Sequence, residues 1–597
     1  MPRRYVSSLV LVMAASACSA PQRFTQPPVA LAPAGRFDRL ARGYFDGRFR
    51  YSPLEATSAG VHTFDAALDD LSPEAVARFA GWLAHQRDAL DALLPELPAD
   101  VPGATAPASD HPRLDARILR DTIALDALRL GAWREYAQRP SAFHQAAADA
   151  AYQLMVRDFA PLDTRIRNAT ARLRGVPALL ADAERWLEHP PRLAVEVALR
   201  EIPGSIEMVR EIFPRFADRA TAQADRAAAR EVAQRAADAL ERYRDFLQNT
   251  LLARATGDYH DGRERWITRA RLAEGVTETP EQIRDGALAE VRRLQAELRV
   301  VAPRVARPGE TVQQLVERQR HVHPPAAGLL DAYRARQSEV RGFVRDHRLA
   351  TIDPARDDMD IQETPAFLRA TVFASLSSPG PLEQVDRHTI FYVTPADLTR
   401  PAREIDEYLT EHSTAAILVT TVHEAYPGHH VQGIHQRTAR SLVRQVLWQS
   451  TYGEGWAHYC EQMMVDEGLG DDTIRVDEIQ EALLRAARAY LDAGVHVFGL
   501  GYDDAVRFYR EEAFMSQPGA EMEARRVCLN PATVFTYTYG KLAFYRLRHA
   551  VVDGGPRMPL GAFHDAVMDF GSAPLPLLAS ARFEIDLPAW NTGISAP

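Results

Sequence analysis

Apolar residues recur at helical rather than strand spacing through the first half of the chain. Val76, Phe79, Leu83, Leu90 and Leu94 form one such stripe, and Val232, Leu240, Tyr243, Leu247 and Leu251 form another. Spacing by three and four residues lines up one face of an α-helix, and an apolar face of that kind has to be buried against a neighbour. Helix starts are marked too. Ser72-Pro73-Glu74 offers an N-cap, a first-turn proline and an acidic first turn, while Thr279-Pro280-Glu281-Gln282 is a capping box ahead of Ile283, Val291, Leu294 and Leu298. The clearest strand is TIFYV, 389–393, β-branched, aromatic and closed by Pro395. It is expected either to be structural or to form an edge along which an extended peptide could pair. The chain has no fixed-period repeat, which excludes a solenoid. These patterns predict a mainly α protein with a small β-sheet, a helical scaffold lobe over 37–350 and a catalytic lobe over 351–597, the two interwoven as one domain.

The N-terminus has the layout of a secretory signal over 1–17, with Arg3 and Arg4, then the apolar run VSSLVLVMAA, then small residues. Ala15-Ser16-Ala17-Cys18 resembles a bacterial lipobox, which makes Cys18 a lipidation site, with plain cleavage as the alternative. The Pro- and Ala-rich segment that follows, to Arg36, reads as a tether between lipid and fold. The expected location is therefore the cell envelope, facing the periplasm or the exterior, or secretion if Cys18 is not lipidated. A net charge of -10 argues against nucleic acid as a partner, since phosphate binding needs a basic surface. Cys460 and Cys528 could pair in an oxidising compartment or remain free thiols.

The chemistry concentrates in the last third. His423-Glu424-Ala425-Tyr426-Pro427-Gly428-His429-His430 begins like the H-E-x-x-H zinc signature, but its second histidine comes late. In an unbroken helix six residues turn by ~600°, which points His429 away from His423; seven turn by ~700°, which returns His430 to the same face but ~10 Å along the axis. Pro427 has no amide hydrogen and its ring clashes with the carbonyl four residues earlier, and Gly428 permits a sharp turn. The helix must break there, and a break that absorbs two residues returns a late histidine to ligand position. His429 is the expected second ligand beside His423, with His430 the alternate.

A catalytic zinc needs three protein ligands. The stretch YGEGWAHYCEQMM, 452–464, puts Glu454, His458 and Glu461 on one helical face. Its E-G-W-A resembles the N-E-G-F-A segment of aminopeptidase N-type zinc peptidases, in which that glutamate is a ligand; the resemblance implies Glu454 as the third ligand. His458 and Glu461 are then expected to orient ligands from behind. Glu424, beside the first ligand, is the expected general base, taking a proton from the attacking water and passing it to the leaving amine. Further on, 525–541 offers Arg526, Tyr537, Tyr539 and Lys541. Tyr537 could donate to the oxyanion, while Arg526, Lys541 and Tyr539 could hold substrate; core packing is the alternative for the tyrosines.

HEAYPGHH, then GEGWAHYCE, then a proline, tyrosine and Gly-Lys at 531, 537 and 540–541 resemble, in order and spacing, the bacterial family called domain of unknown function 885. The resemblance extends over nearly the whole mature chain. It implies a gluzincin-type metallopeptidase clan: a large helical fold with a small β-sheet beside an active-site cleft, one zinc ion, and proteins that are often secreted or lipid-anchored. Tyr537 and Arg526 fall on the family's tyrosine and arginine positions, and Lys541 on its Gly-Lys pair. One departure is Pro531-Ala532-Thr533-Val534, where the family commonly has Pro-Gly-Gln-Ala. The reading expected from sequence is a zinc-dependent peptidase acting on short or flexible peptides, with Arg526 and Lys541 favouring a C-terminal carboxylate. The alternative is a noncatalytic envelope lipoprotein that binds peptides or metal.

Overall fold

A computed structural model of the protein describes residues 31–100, 111–365, 369, 373–554 and 558–587. The signal segment, Cys18 and most of the tether lie outside the described residues. The first helix, Pro33–Tyr51, starts earlier than the expected 37 because Pro33 opens it with its backbone angle already preset, and Phe37, Ala41, Tyr44, Phe45 and Phe49 are buried along it.

The capping signals act as read. Ser72 accepts a hydrogen bond from the Ala75 amide at the start of Pro73–Leu93, and both arms of the Thr279/Gln282 box close on Pro280–Val301. Helix Gln223–Phe246 runs on through a wider turn to Leu251. One apolar cluster, drawn from residues between Leu71 and Ala255, is built within the first half of the chain. The largest core draws on both halves, from Phe37 and Trp266 to Trp456, Phe544 and Ala581. Another joins the 280–301 helix to Asp472–His496 through Leu294, Leu298, Ile479 and Leu483. Helices of the second half of the chain thus rest on helices of the first.

The sheet has three strands, β1 (Met359–Glu363), β2 (Ala374–Ser377) and β3 (Thr389–Val393), in the order β1-β3-β2. TIFYV is therefore the central strand and not an edge. It pairs parallel to β1, with Phe391 opposite Ile361, and antiparallel to β2, with Tyr392 opposite Ser375. Every residue of β3 is buried, so no substrate can extend the sheet from it. Its five consecutive buried residues follow from cover on both faces. Phe391 and Val393 share a core with Tyr333 of helix Leu329–Asp346 and Ile417 of helix Thr414–Glu424, so the sheet braces the helix that ends in the histidine motif.

Candidate metal centre

The 414–424 helix starts on Ser413, whose hydroxyl accepts from the Ala416 amide at 3.0 Å, and stops at Glu424. A separate helix, His429–Gln436, begins after the break. The turn between them is drawn tight by the Gly428 amide, which donates to the Val422 carbonyl at 3.1 Å. A Cβ at Gly428 would fall 1.9 Å from the His423 carbonyl oxygen and 2.3 Å from that of Val422, so only glycine fits. Helix Ser450–Asp466 packs on the break, and its Trp456 indole donates to the Pro427 carbonyl at 2.9 Å. Glu454 lies one turn inside this helix.

These three segments bring His423, His429 and Glu454 together, with one ligand atom of each within 4.8 Å of the others. Nε2 of His423 is 3.7 Å and Nε2 of His429 is 3.5 Å from Oε2 of Glu454. The two imidazoles stand almost perpendicular, at 89°, with centroids 4.8 Å apart.

Both rings are held from behind. Nδ1–H of His423 donates to Oε1 of Glu461 at 2.6 Å, and Nδ1–H of His429 to Oε1 of Gln432 at 3.4 Å. Carboxylate and amide oxygens only accept, so each ring spends its Nδ1 proton behind and turns Nε2, which a proton or a cation can occupy, to the point shared with Glu454. The Gln432 amide is itself fixed by donating to the Tyr452 carbonyl at 3.2 Å. Glu461 is fully buried, and Arg485 at 3.1 Å and His458 Nδ1 at 3.2 Å complete its shell.

The electrostatics favour positive charge at the convergence point. Burial works against charge on Glu461, but Arg485 and His458 outweigh it and hold its carboxyl well below the usual range. Burial also opposes charge on Glu454, and His423 and His429 again reverse the balance. On His423 burial disfavours the imidazolium, yet hydrogen bonding to Glu454 and Glu461 pushes its pKa up to about 10. Burial, aided by Lys541, keeps His458 well below the histidine range, hence neutral and able to donate.

A cavity of about 200 Å³ opens beside the cluster, lined among others by His423, Glu424, Arg488, Arg526 and Tyr537. The Tyr537 hydroxyl has its pKa raised, by burial first and then by the charge of Glu454, so it keeps its proton. Arg488 is committed to Glu523 through two hydrogen bonds of 2.6 and 2.8 Å. Arg526 is freer: 3.7 Å from Glu523 and 45% exposed, it also borders a larger hollow of about 410 Å³.

Three expectations need correction. His430 is buried, with Nε2 3.0 Å from Asp357, which also accepts from the Tyr426 hydroxyl at 2.6 Å; it ties down the break rather than serving as an alternate ligand. Lys541 is 1% exposed, with Nζ 3.3 Å from Glu478, and is an internal cation out of reach of substrate. Tyr539 is buried and donates to Glu278 at 3.0 Å. It sits two residues beyond Tyr537 on helix Thr536–Arg548, about 200° around the axis. Cys460 and Cys528 are separate buried thiols.

Sequence reasoning passed over Gln432, Arg485 and Asp492. Asp492 accepts from the amides of Ala532, Thr533 and Phe535 at 2.8, 3.0 and 3.1 Å and so fixes the turn that presents Tyr537. In that turn Ala532 has a φ of 53°, the left-handed conformation that suits glycine.

The family model described as "Bacterial protein of unknown function (DUF885)" matches residues 53–581. No curated protein matches the chain. Two solved structures share its fold. A "putative lipoprotein of unknown function" from Shewanella oneidensis is 22% identical, with a TM-score of 0.74 over 91% of this chain and 99% of the other. A "putative lipoprotein" from Colwellia psychrerythraea is 17% identical, with a TM-score of 0.76 over 93% of this chain and 99% of that one.

Proposed function

The chain belongs to the DUF885 family, and we propose that it is a zinc-dependent peptidase that cleaves short or flexible peptides in the cell envelope. One observation carries the reading: Nε2 of His423 and Nε2 of His429 converge on Oε2 of Glu454, while both Nδ1 atoms are engaged behind by Glu461 and Gln432. The donor set fits the metal. Zinc bonds of ~2.0–2.2 Å in tetrahedral array separate ligand atoms by ~3.3–3.6 Å, and the separations from Glu454 are 3.7 and 3.5 Å. Bound zinc supplies a Lewis acid that polarises the scissile carbonyl and lowers the pKa of a water toward ~7.

The remaining steps fall to the chain's own groups. Glu424, one residue from His423 and on the wall of the same cavity, accepts the proton of the attacking water and returns it to the leaving amine. Tyr537, still protonated, donates to the oxyanion of the tetrahedral intermediate. Arg526, partly exposed at the rim, holds a substrate carboxylate, which favours cleavage near a C-terminus. Attachment through Cys18 places this activity at the membrane surface. The lipobox supports it, as do the descriptions of the two fold relatives, and among the described residues no helix is long and apolar enough to cross a bilayer.

The test is metal analysis of the purified chain beside chelator-controlled digestion of a defined peptide mixture, with products read by mass. Wild type should contain zinc and cut, whereas Glu424→Gln should keep the zinc and lose cleavage. A wild type that binds no zinc, or a Glu424→Gln variant as active as wild type, overturns the proposal.

A further inference from the structure

Away from the centre just described, a second group of metal-ligating side chains comes together where helix Val312–Arg320 ends and helix Ala402–Leu409 passes. His321, His323 and Asp406 each offer a ligand atom within 4.8 Å of the others. Asp406 faces both rings: Oδ2 is 3.2 Å from Nδ1 of His321, and Oδ1 is 3.1 Å from Nε2 of His323. The opposite ring nitrogens are engaged as well, Nε2 of His321 by Glu317 Oε1 at 3.3 Å and Nδ1 of His323 by the Pro324 carbonyl at 3.0 Å.

All four of these oxygens accept and none donates. Two neutral imidazoles bring only two N–H groups, so two of the four contacts would set a nitrogen lone pair against an oxygen. Either two additional protons or one divalent cation removes the conflict, and both add the same charge. The arrangement also has the form in which metal-bound histidines are held, with the distal N–H donated to a carboxylate on one ring and to a backbone carbonyl on the other. The contacts of 3.1 and 3.2 Å approach the ligand separations of tetrahedral zinc, ~3.3–3.6 Å. The geometry points to a second divalent transition-metal site of the zinc class at His321, His323 and Asp406, with Glu317 orienting His321.

Its position gives it a structural consequence. The carbonyl of Val322, between the two histidines, accepts from the amide of Thr414 at 2.7 Å, and Thr414 opens the helix that ends in His423 and Glu424. A cation here ties the 312–320 and 402–409 helices together beside the start of that helix. His321 and Asp406 are exposed and His323 is partly so, which lets the ion enter from solvent and lets substitutions be made without disturbing the core.

The experiment is calorimetric titration of the chelator-treated full chain with zinc chloride, with circular dichroism to confirm folding. Wild type should take up two equivalents, His321→Ala/His323→Ala one, and His423→Ala/His429→Ala one. Asp406→Asn, which keeps the shape of the side chain, should likewise lose the surface equivalent. Uptake by the His321→Ala/His323→Ala variant equal to wild type, or no uptake by the His423→Ala/His429→Ala variant, overturns the inference. A wild type that binds a single equivalent separates the two readings: loss of that equivalent in His321→Ala/His323→Ala supports the surface site alone, and its survival there removes it.

Discussion

Glu461→Gln removes one charge from behind His423 at almost constant volume, and its effect can be worked from the hydrogen-bond inventory. The carboxylate serves three donors: His423 Nδ1–H at 2.6 Å and Arg485 at 3.1 Å on Oε1, and His458 Nδ1–H at 3.2 Å on Oε2. Glutamine has one acceptor oxygen, so only one side of this set is kept unchanged. If the oxygen faces His423, the amide NH2 meets His458, whose Nε2 has no partner among the described residues and can take the proton instead. Arg485 keeps Glu481 at 2.6 Å, which limits the damage to the fold. What is lost is the charge-assisted bond that makes His423 a stronger ligand. Loss of such an orienting partner weakens metal binding by ~10–100-fold, which is about 1.4–2.8 kcal/mol at ~1.4 kcal/mol per decade. That range agrees with the ~1.5–3 kcal/mol of a hydrogen bond to a charged group. Competition against a zinc chelator of known affinity measures it directly, with Glu424→Gln as a control that should bind as wild type does. Zinc affinity in Glu461→Gln within about threefold of wild type would refute the argument that this carboxylate sets the ligand.

Two further substitutions test the break and the core. Gly428→Ala should cost about 3 kcal/mol, the upper end for forced overpacking, and lower zinc affinity as well, because the new methyl meets backbone oxygens at 1.9 and 2.3 Å that cannot swing away; an unchanged melting temperature and zinc titration would count against it. His564, fully buried, has its pKa lowered to about 3 by burial, while Nδ1–H donates to the Leu349 carbonyl at 2.6 Å and Nε2 accepts from the Tyr459 hydroxyl at 2.8 Å. The unfolded chain takes up this proton near pH ~6.5, so the native state loses stability as pH falls from there toward about 3, at ~1.4 kcal/mol per unit. His564→Gln has no such proton, and in urea unfolding its deficit relative to wild type should shrink by on the order of 2–3 kcal/mol between pH 7.5 and 4.5; a constant deficit removes the assignment.

Helix starts and buried stripes were legible because they depend on residues three or four apart, and the approach of His429 to His423 because Pro427 and Gly428 leave few ways to turn between them. Contacts between distant helices have no such local signature. Lys541 stood out as the one lysine of the sequence, and only the packing of its helix on 472–496 shows that it answers Glu478. Tyr539 could have been set aside from spacing alone, since residues two apart on a helix point ~200° from each other and Tyr537 already faced the site. The glycines on either side of Glu454 show what a motif contains beyond its chemical groups. A Cβ at Gly453 would lie 1.9 Å from the Trp448 ring, and one at Gly455 would lie 2.5 Å from Cα of Gly540, where the 450–466 and 536–548 helices cross. Gly-Glu-Gly therefore encodes closeness: Gly455 admits no side chain against the Gly540 backbone, and at Gly453 a side chain would have to displace the half-exposed Trp448 ring. Gly540, rather than the lysine after it, is the part of Gly-Lys that the convergence of His423, His429 and Glu454 depends on, because at that glycine the helix presenting Tyr537 comes against the helix bearing Glu454.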